Sequence, residues 1–222
     1  MEAVMKVGGS LAEYPASLRD LCQKLSELSR FHRLLVVPGG GRFADVVREF
    51  DRIFDLSDTA AHKMAILGMD IYGLFLSDIT PNSRICYTLK RAEEASAAGA
   101  LPILSPSRFM FLEDPLEHSW DTTSDSIAAY IAGLLHVNKL ILLKDVDGIF
   151  TEDPKKCLNA EFIKEITASK LLRWNKRTCV DKLLPKILLR ARLECFVVNG
   201  RYPKRVEAVL EDEKTICTRI II

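Results

Sequence analysis

Lys6 closes a short apolar run, "AVMKV", and Gly8, Gly9 and Ser10 follow almost at once. A cation at a strand end, beside residues with little or no side chain, is one way to hold an anion. Glycine lets the backbone approach a ligand closely, and consecutive N–H groups favour negative oxygens. A second apolar run, "RLLVVP", opens into Gly39, Gly40, Gly41 and Arg42. A third, "KLILLK", ends at Lys144 and opens into Asp145, Asp147 and Gly148. One Gly-Gly pair alone reads as a turn. Three loops rich in glycine or acidic groups, each after an apolar run, shift the reading towards a phosphate site.

The elements that would carry these loops alternate along the chain. Strands are expected at "AVMKV", "RLLVVP", "LPIL", "KLILLK", "ECFVVN" and "TICTRIII". Between the first two, Leu18, Leu21, Cys22, Leu25 and Leu28 share one helical face. Phe43, Val46, Val47 and Phe50 repeat that spacing, a longer helix is expected from Ser57 to Leu76, and another starts with Ser124 as its N-cap. "EDPKKCLNAEF" is the most loop-like stretch. Continuous apolar strands between amphipathic helices predict an α/β fold with a mainly parallel sheet covered on both faces. Ligands of such sheets bind beyond the carboxyl ends of the strands, where the three loops lie.

Other chemistries find less support. Gly39, Gly41 and Ala44 fit a dinucleotide fingerprint, and Asp58 lies about 20 residues on, as that fingerprint expects. Asp58 nevertheless reads as a helix start rather than a strand end. A Walker A loop, a zinc-protease H-E-x-x-H and a nucleophile elbow do not occur. His32, His62, His118 and His136 show no metal-ligand spacing, so no protein-held metal site is expected. The chain of 222 residues suits one large domain spanning residues 1–222, or at most two small ones. A formal net charge of +1 gives no electrostatic reason to expect nucleic acid or an anionic membrane as partner. No apolar run approaches the ~20 residues of a membrane span. Six scattered cysteines, several in apolar segments, suggest small hydrophobes in a reducing cytoplasm.

Taken in order, "KVGGS", "VVPGGG", "TSDSIAA", "LLKDVDGIF" followed by "DP", and a late "LPK" before "VVNGR" resemble the amino acid kinase family over nearly the whole chain. The resemblance implies a three-layer αβα sandwich, usually dimeric or higher. It implies ATP in the carboxyl-terminal half and a phosphoryl acceptor in the amino-terminal half, with magnesium as companion ion. Phosphoryl transfer needs positioning and charge neutralisation more than covalent chemistry.

Carried onto this sequence, the family pattern makes Lys6 a catalytic lysine and Asp125 the carboxylate that holds the catalytic lysines. A capping role for Asp125 after Ser124 is compatible with this. The family's G-G-M-x-x-K is replaced here by "TCVDKLLPK". Aligning "LLPK" selects Lys186 as the second lysine, with Lys182, one turn earlier, as the alternative. Gly8, Gly9, Ser10, Lys144, Asp145, Asp147, Gly148, Ile149, Phe150, Asp153 and Pro154 are assigned to ATP. Gly39, Gly40, Gly41 and Arg42 are assigned to the acceptor, with Arg42 as a phosphate partner.

His118, Trp120 and Asp121 precede the Asp125 helix, on the expected acceptor side. Trp120 could stack on a flat ring and Asp121 pair with an amine; equally, Trp120 could be core and Asp121 a loop cap. His62, Met64, Met69 and Tyr72 along one helix suggest core or a dimer interface. These segments resemble the branch of the family that acts in methanofuran-type coenzyme synthesis. That resemblance implies conversion of 5-(aminomethyl)-3-furanmethanol phosphate, a small phosphorylated acceptor, to its diphosphate. Uridylate, isopentenyl phosphate or an acyl carboxylate as acceptor, or non-catalytic binding of a nucleotide or oxyanion, are the alternatives. With no regulatory domain after residue 222, an aspartokinase is not expected.

Overall fold

Strand β1 (Ala3–Val7) and strand β2 (Leu34–Pro38) are buried at every position. Strands of that kind require cover on both faces. The computed structural model describes residues 1–174, 176 and 178–222 and supplies that cover. After β1 come a 3-10 turn (Gly9–Glu13), α1 (Pro15–Leu28), β2, α2 (Gly41–Phe54), α3 (Asp58–Ile79) and β3 (Ser83–Cys86). Then follow α4 (Leu89–Ala97), β4 (Leu101–Leu104), α5 (Ser107–Glu113), α6 (Ser124–Leu134) and β5 (Lys139–Lys144). The rest comprises β6 (Ile149–Phe150), β7 (Phe162–Ile163), β8 (Glu165–Thr167), α7 (Ala168–Trp174), α8 (Leu184–Ala191), β9 (Cys195–Asn199), α9 (Pro203–Leu210) and β10 (Thr218–Ile221).

Eight strands form one sheet in the order β3-β4-β2-β1-β5-β9-β10-β8. Its pairings are parallel except β9 with β10. The period of two along each strand divides the core. Ala3, Met5, Leu34, Val36, Ile141 and Leu143 face α1, α9 and the Tyr72–Leu76 part of α3. Val4, Leu35, Val37, Leu140 and Leu142 face the other way, against apolar residues of α4 to α8. The result is the expected three-layer αβα sandwich with a mainly parallel sheet.

All six expected strands are present, each within a residue or a few of its expected bounds. The structure adds β3, a short and partly exposed edge strand, β8, and the two-stranded β6–β7 pair. These have too few apolar residues to show a period. The dinucleotide reading fails for the reason expected, because Asp58 starts α3 behind the N-cap Ser57. One boundary is corrected. Thr123, not Ser124, is the N-cap of α6, and its own side chain makes no capping bond.

Candidate active site

Lys6 lies on β1 opposite Leu142 of β5, so Lys6, Leu142 and Lys144 share one face of the sheet. The first turn of α6 packs over that face and brings Asp125 between the two lysines. Asp125 Oδ1 lies 2.8 Å from Lys6 Nζ, and Lys144 Nζ donates to Oδ1 and Oδ2 at 2.8 and 2.6 Å. All three residues are buried, with 4, 2 and 9% of their surface exposed for Lys6, Asp125 and Lys144. Burial alone would raise the Asp125 carboxyl, but the Lys144 and Lys6 ammonium groups hold it well below the usual carboxylate range. Burial pushes Lys6 down to about 8, against the pull of Asp125 and with repulsion from Lys144. Burial pulls Lys144 down, but Asp125, with Asp181 and Cys179 nearby, holds it above the ordinary lysine value. Taken by themselves, Lys6, Asp125 and Lys144 place two cations around one carboxylate at the floor of a cleft.

That cleft has a volume of about 370 Å³. Gly9, Ser10, Gly40, Gly41, Arg42, Trp120, Asp125, Lys144 and Asp145 are on its walls, with Lys6. Gly9 and Ser10 begin the 3-10 turn, where N–H groups have no intrahelical acceptor. A Cβ on Gly9 would overlap the backbone of Gly41, so the two glycine loops touch only because both lack side chains. Gly8 and Gly39 are corrected in role. Gly8 N–H donates to Leu143 O at 2.9 Å and Gly39 N–H to Val7 O at 2.8 Å. Their donors extend the sheet and are unavailable to a phosphate.

The late lysines are also placed differently from expectation. Lys186 is not on the cleft walls; its side chain is 63% exposed and pairs with Glu117 at 3.2 Å. Lys182 pairs with Asp121 at 3.3 Å. The "DKLLPK" segment instead contributes Asp181, which sequence reasoning missed. Asp181 Oδ2 accepts from Thr123 N–H, Thr123 Oγ1 and Ser126 N–H; its Oδ1 accepts from Ser126 Oγ and Leu184 N–H. It therefore caps the amino ends of α6 and α8 together, which is why Thr123 needs no local cap. Burial, then the neighbouring Asp125 charge, raises its pKa. The available signal was an aspartate three residues before a helical Leu-Pro.

The residues after Lys144 divide into two groups. Asp145 accepts from Ser10 Oγ at 3.0 Å and pairs with Lys155, a cleft residue not expected from the sequence. Asp147, Gly148, Ile149, Phe150, Asp153 and Pro154 are not on the cleft walls. Asp147 is held by Asn199 and Arg205, at 2.9 and 2.7 Å. Ile149 is wholly buried and donates its N–H to Thr218 Oγ1. Phe150 packs on Phe162, with ring centroids 5.4 Å apart. Asp153 and Pro154 open the turn that returns Lys155 to Asp145. This stretch builds the β6–β7 arm rather than the cleft surface.

Trp120 donates its indole N–H to Asp51 at 2.7 Å and lies under the Arg48 guanidinium, 4.6 Å from the ring centroid. His118 lies outside the cleft walls, stacked on His62 at 4.6 Å and bonded to Thr59 and Asp114. His62 is the histidine that reaches the cleft, and burial, then the neighbouring His118, lowers its pKa. Asp121 is more than half exposed, is absent from the cleft walls, and faces Lys182. The structure does not bring it to the cleft.

No group of three or more His, Cys, Asp or Glu side chains suited to a metal occurs among the described residues. Magnesium commonly binds through one or two carboxylates plus substrate phosphates rather than an all-protein cage. A magnesium ion carried by a nucleotide therefore fits this donor set, with Asp145 as the carboxylate on the rim. Among the described residues no helix is long and apolar enough to cross a membrane.

The family model described as the amino acid kinase family matches residues 1–199. The chain is 35% identical, over 98% of its length and 97% of the relative, to the [5-(aminomethyl)furan-3-yl]methyl phosphate kinase of Methanocaldococcus jannaschii. It is 28% identical to the uridylate kinase of Methanobrevibacter smithii, over 100% of this chain and 99% of the relative. The solved uridylate kinase of Archaeoglobus fulgidus superposes with a TM-score of 0.76 at 21% identity, covering 99% of this chain and 100% of that one.

Proposed function

Because this chain belongs to the amino acid kinase family and is an ATP-dependent phosphotransferase, we propose that its acceptor is a small phosphate monoester, 5-(aminomethyl)-3-furanmethanol phosphate, which it converts to the diphosphate. An acceptor phosphate oxygen attacks the γ-phosphorus of ATP, the bond to the β–γ bridging oxygen breaks, and ADP leaves. The observation that carries this reading is the buried Lys6–Asp125–Lys144 group at the floor of the cleft. Asp125 holds both ammonium groups, which neutralise charge on the phosphoryl group in transit. Lys144, rather than Lys186, is the second lysine in this reading.

Gly9 and Ser10 offer N–H groups to phosphate oxygens. Asp145 and Lys155 border the nucleotide, in the carboxyl-terminal half of one kinase unit spanning residues 1–222. Magnesium, brought with ATP, would offset phosphate charge beside Asp145. Gly40, Gly41 and Arg42 border the acceptor in the amino-terminal half. The walls there also carry Asp45, Arg48, His62 and Trp120. Ala65, Ile66 and Met69 line the same part, so a small ring with charged substituents would meet one apolar strip and several polar groups. The 35% identity to a kinase of the aminomethylfuran phosphate supports the same acceptor.

The test is an acceptor panel with ATP, read by mass detection of products. The aminomethylfuran phosphate should be turned over with the highest kcat/KM, ahead of uridylate, isopentenyl phosphate and acyl carboxylates. Preference for any other member would replace the proposed acceptor, and no turnover of any member would favour a binding protein.

The proposed assembly is a homodimer or a higher homo-oligomer. Phe50, Ile53 and Phe54 on α2, and Leu67, Ile71 and Leu74 on α3, are exposed. Two packed helices with outward apolar stripes mark an interaction surface.

A further inference from the structure

Five carboxylates reach the cleft: Glu13, Asp45, Asp125, Asp145 and Asp181. Three already have partners, Asp125 in two lysines, Asp145 in Ser10 and Lys155, and Asp181 in Thr123, Ser126 and Leu184. Glu13 stands opposite Arg42 at 3.9 Å, with both side chains well exposed at the mouth. Asp45 differs. Its Oδ1 accepts from Arg48 Nη1 at 2.8 Å, and its Oδ2 has no partner among the described residues. It projects from α2 one turn beyond the glycine loop, on the wall shared with Arg48, His62 and Trp120.

We propose that Asp45 is the specificity residue that recognises the ammonium group of the acceptor. This rests on the reading of the acceptor as an aminomethyl phosphate monoester. The residue expected from the sequence to do this, Asp121, lies outside the cleft and is paired with Lys182. Arg48 aims and partly neutralises Asp45, and is itself held over the Trp120 ring. His62, with its ring driven towards the neutral form by burial, adds no repulsion to a cationic acceptor at neutral pH. The same carboxylate works against acceptors that bring only negative charge, because a like-charge contact penalises the wrong partner. Asp45 thus selects positively and negatively at one position.

The experiment compares wild type, Asp45→Asn and Asp121→Asn on two acceptors: the aminomethylfuran phosphate and the analogue with methyl in place of aminomethyl. Wild type should prefer the amine. Asp45→Asn should cut that preference about tenfold, mostly through the acceptor KM, and leave the KM for ATP unchanged. Asp121→Asn should keep the wild-type preference. Thermal melting of each variant checks the fold, and Asp45→Ser, which also removes the charge, replaces Asp45→Asn if that variant is destabilised. An unchanged preference in both Asp45 variants overturns the role of Asp45 and leaves the acceptor reading standing. A wild type that turns over both acceptors equally also overturns it. Failure of wild type to phosphorylate the amine, while it phosphorylates another acceptor, overturns the acceptor reading and the Asp45 role with it.

Discussion

Lys144 Nζ contacts both carboxylate oxygens of Asp125, whereas Lys6 contacts one. The unequal sharing makes Lys144 the firmly charged member of the pair. Lys144→Ala should therefore lower kcat by about a hundredfold or more, the scale of losing one preorganised electrostatic donor. Lys186→Ala removes an exposed surface pair and should change kcat less than about threefold. Steady-state kinetics on both variants checks this, and a crippled Lys186→Ala with a healthy Lys144→Ala would restore Lys186 to the chemistry.

Asp125→Asn leaves two ammonium groups buried without their counter-charge. Breaking such a buried pair costs about 3–5 kcal/mol. Denaturant unfolding should show the loss, and adding Lys6→Met to Asp125→Asn should recover part of it. A double variant no more stable than Asp125→Asn would show that the lysines, once unpaired, escape to solvent.

The depressed Lys6 predicts a pH effect on ATP capture. Below about 8 the free protein holds Lys6 charged, and as pH rises through about 8 that charge is lost. The kcat/KM for ATP reports the free enzyme and should fall in this range. Bound phosphates favour the ammonium form, so kcat should hold to higher pH. Coincident falls in both profiles would contradict this.

Asp181→Ala strips acceptors from the buried amino ends of α6 and α8 at once. Unsatisfied buried donors cost about 1–3 kcal/mol each, so the variant should lose at least about 3 kcal/mol. Asp181→Asn retains one acceptor oxygen and should lose less. Equal losses would mean the caps are replaced by water.

Phe50→Glu or Phe54→Glu puts a charge in the exposed apolar stripe of α2. Each should lower the sedimenting mass without lowering the melting point of the isolated chain. A mass unchanged from wild type would remove this face as the dimer interface.

Lys6, the Gly9–Ser10 and Gly40–Arg42 loops, Lys144 and Asp145 could be singled out in the sequence because their signal is local, whereas the role expected for Asp125 came from the family resemblance. A strand end, a glycine run and a helix start each announce themselves within a few residues, and buried parallel strands show as unbroken apolar runs. The partnership of Lys144 with Asp125 was not local. It depends on the β1–β5 register, which sets Lys6 opposite Leu142 and so aligns it with Lys144 on one face. The local cap of Asp181 on α8 had a sequence signal, but its cap on α6, 55 residues away in sequence, had none. Lys186 and Asp121 carried plausible types at plausible spacings. Their direction is set by how α8 and the 114–123 segment pack, and that packing turns both to solvent. The sequence by itself determined which strand ends carry lysines, glycines and carboxylates, and that strands would present them at one edge. Which side chains share a charge was decided only when register and helix docking fixed distances, because ion pairing falls off within a few ångströms while sequence separation says nothing about space.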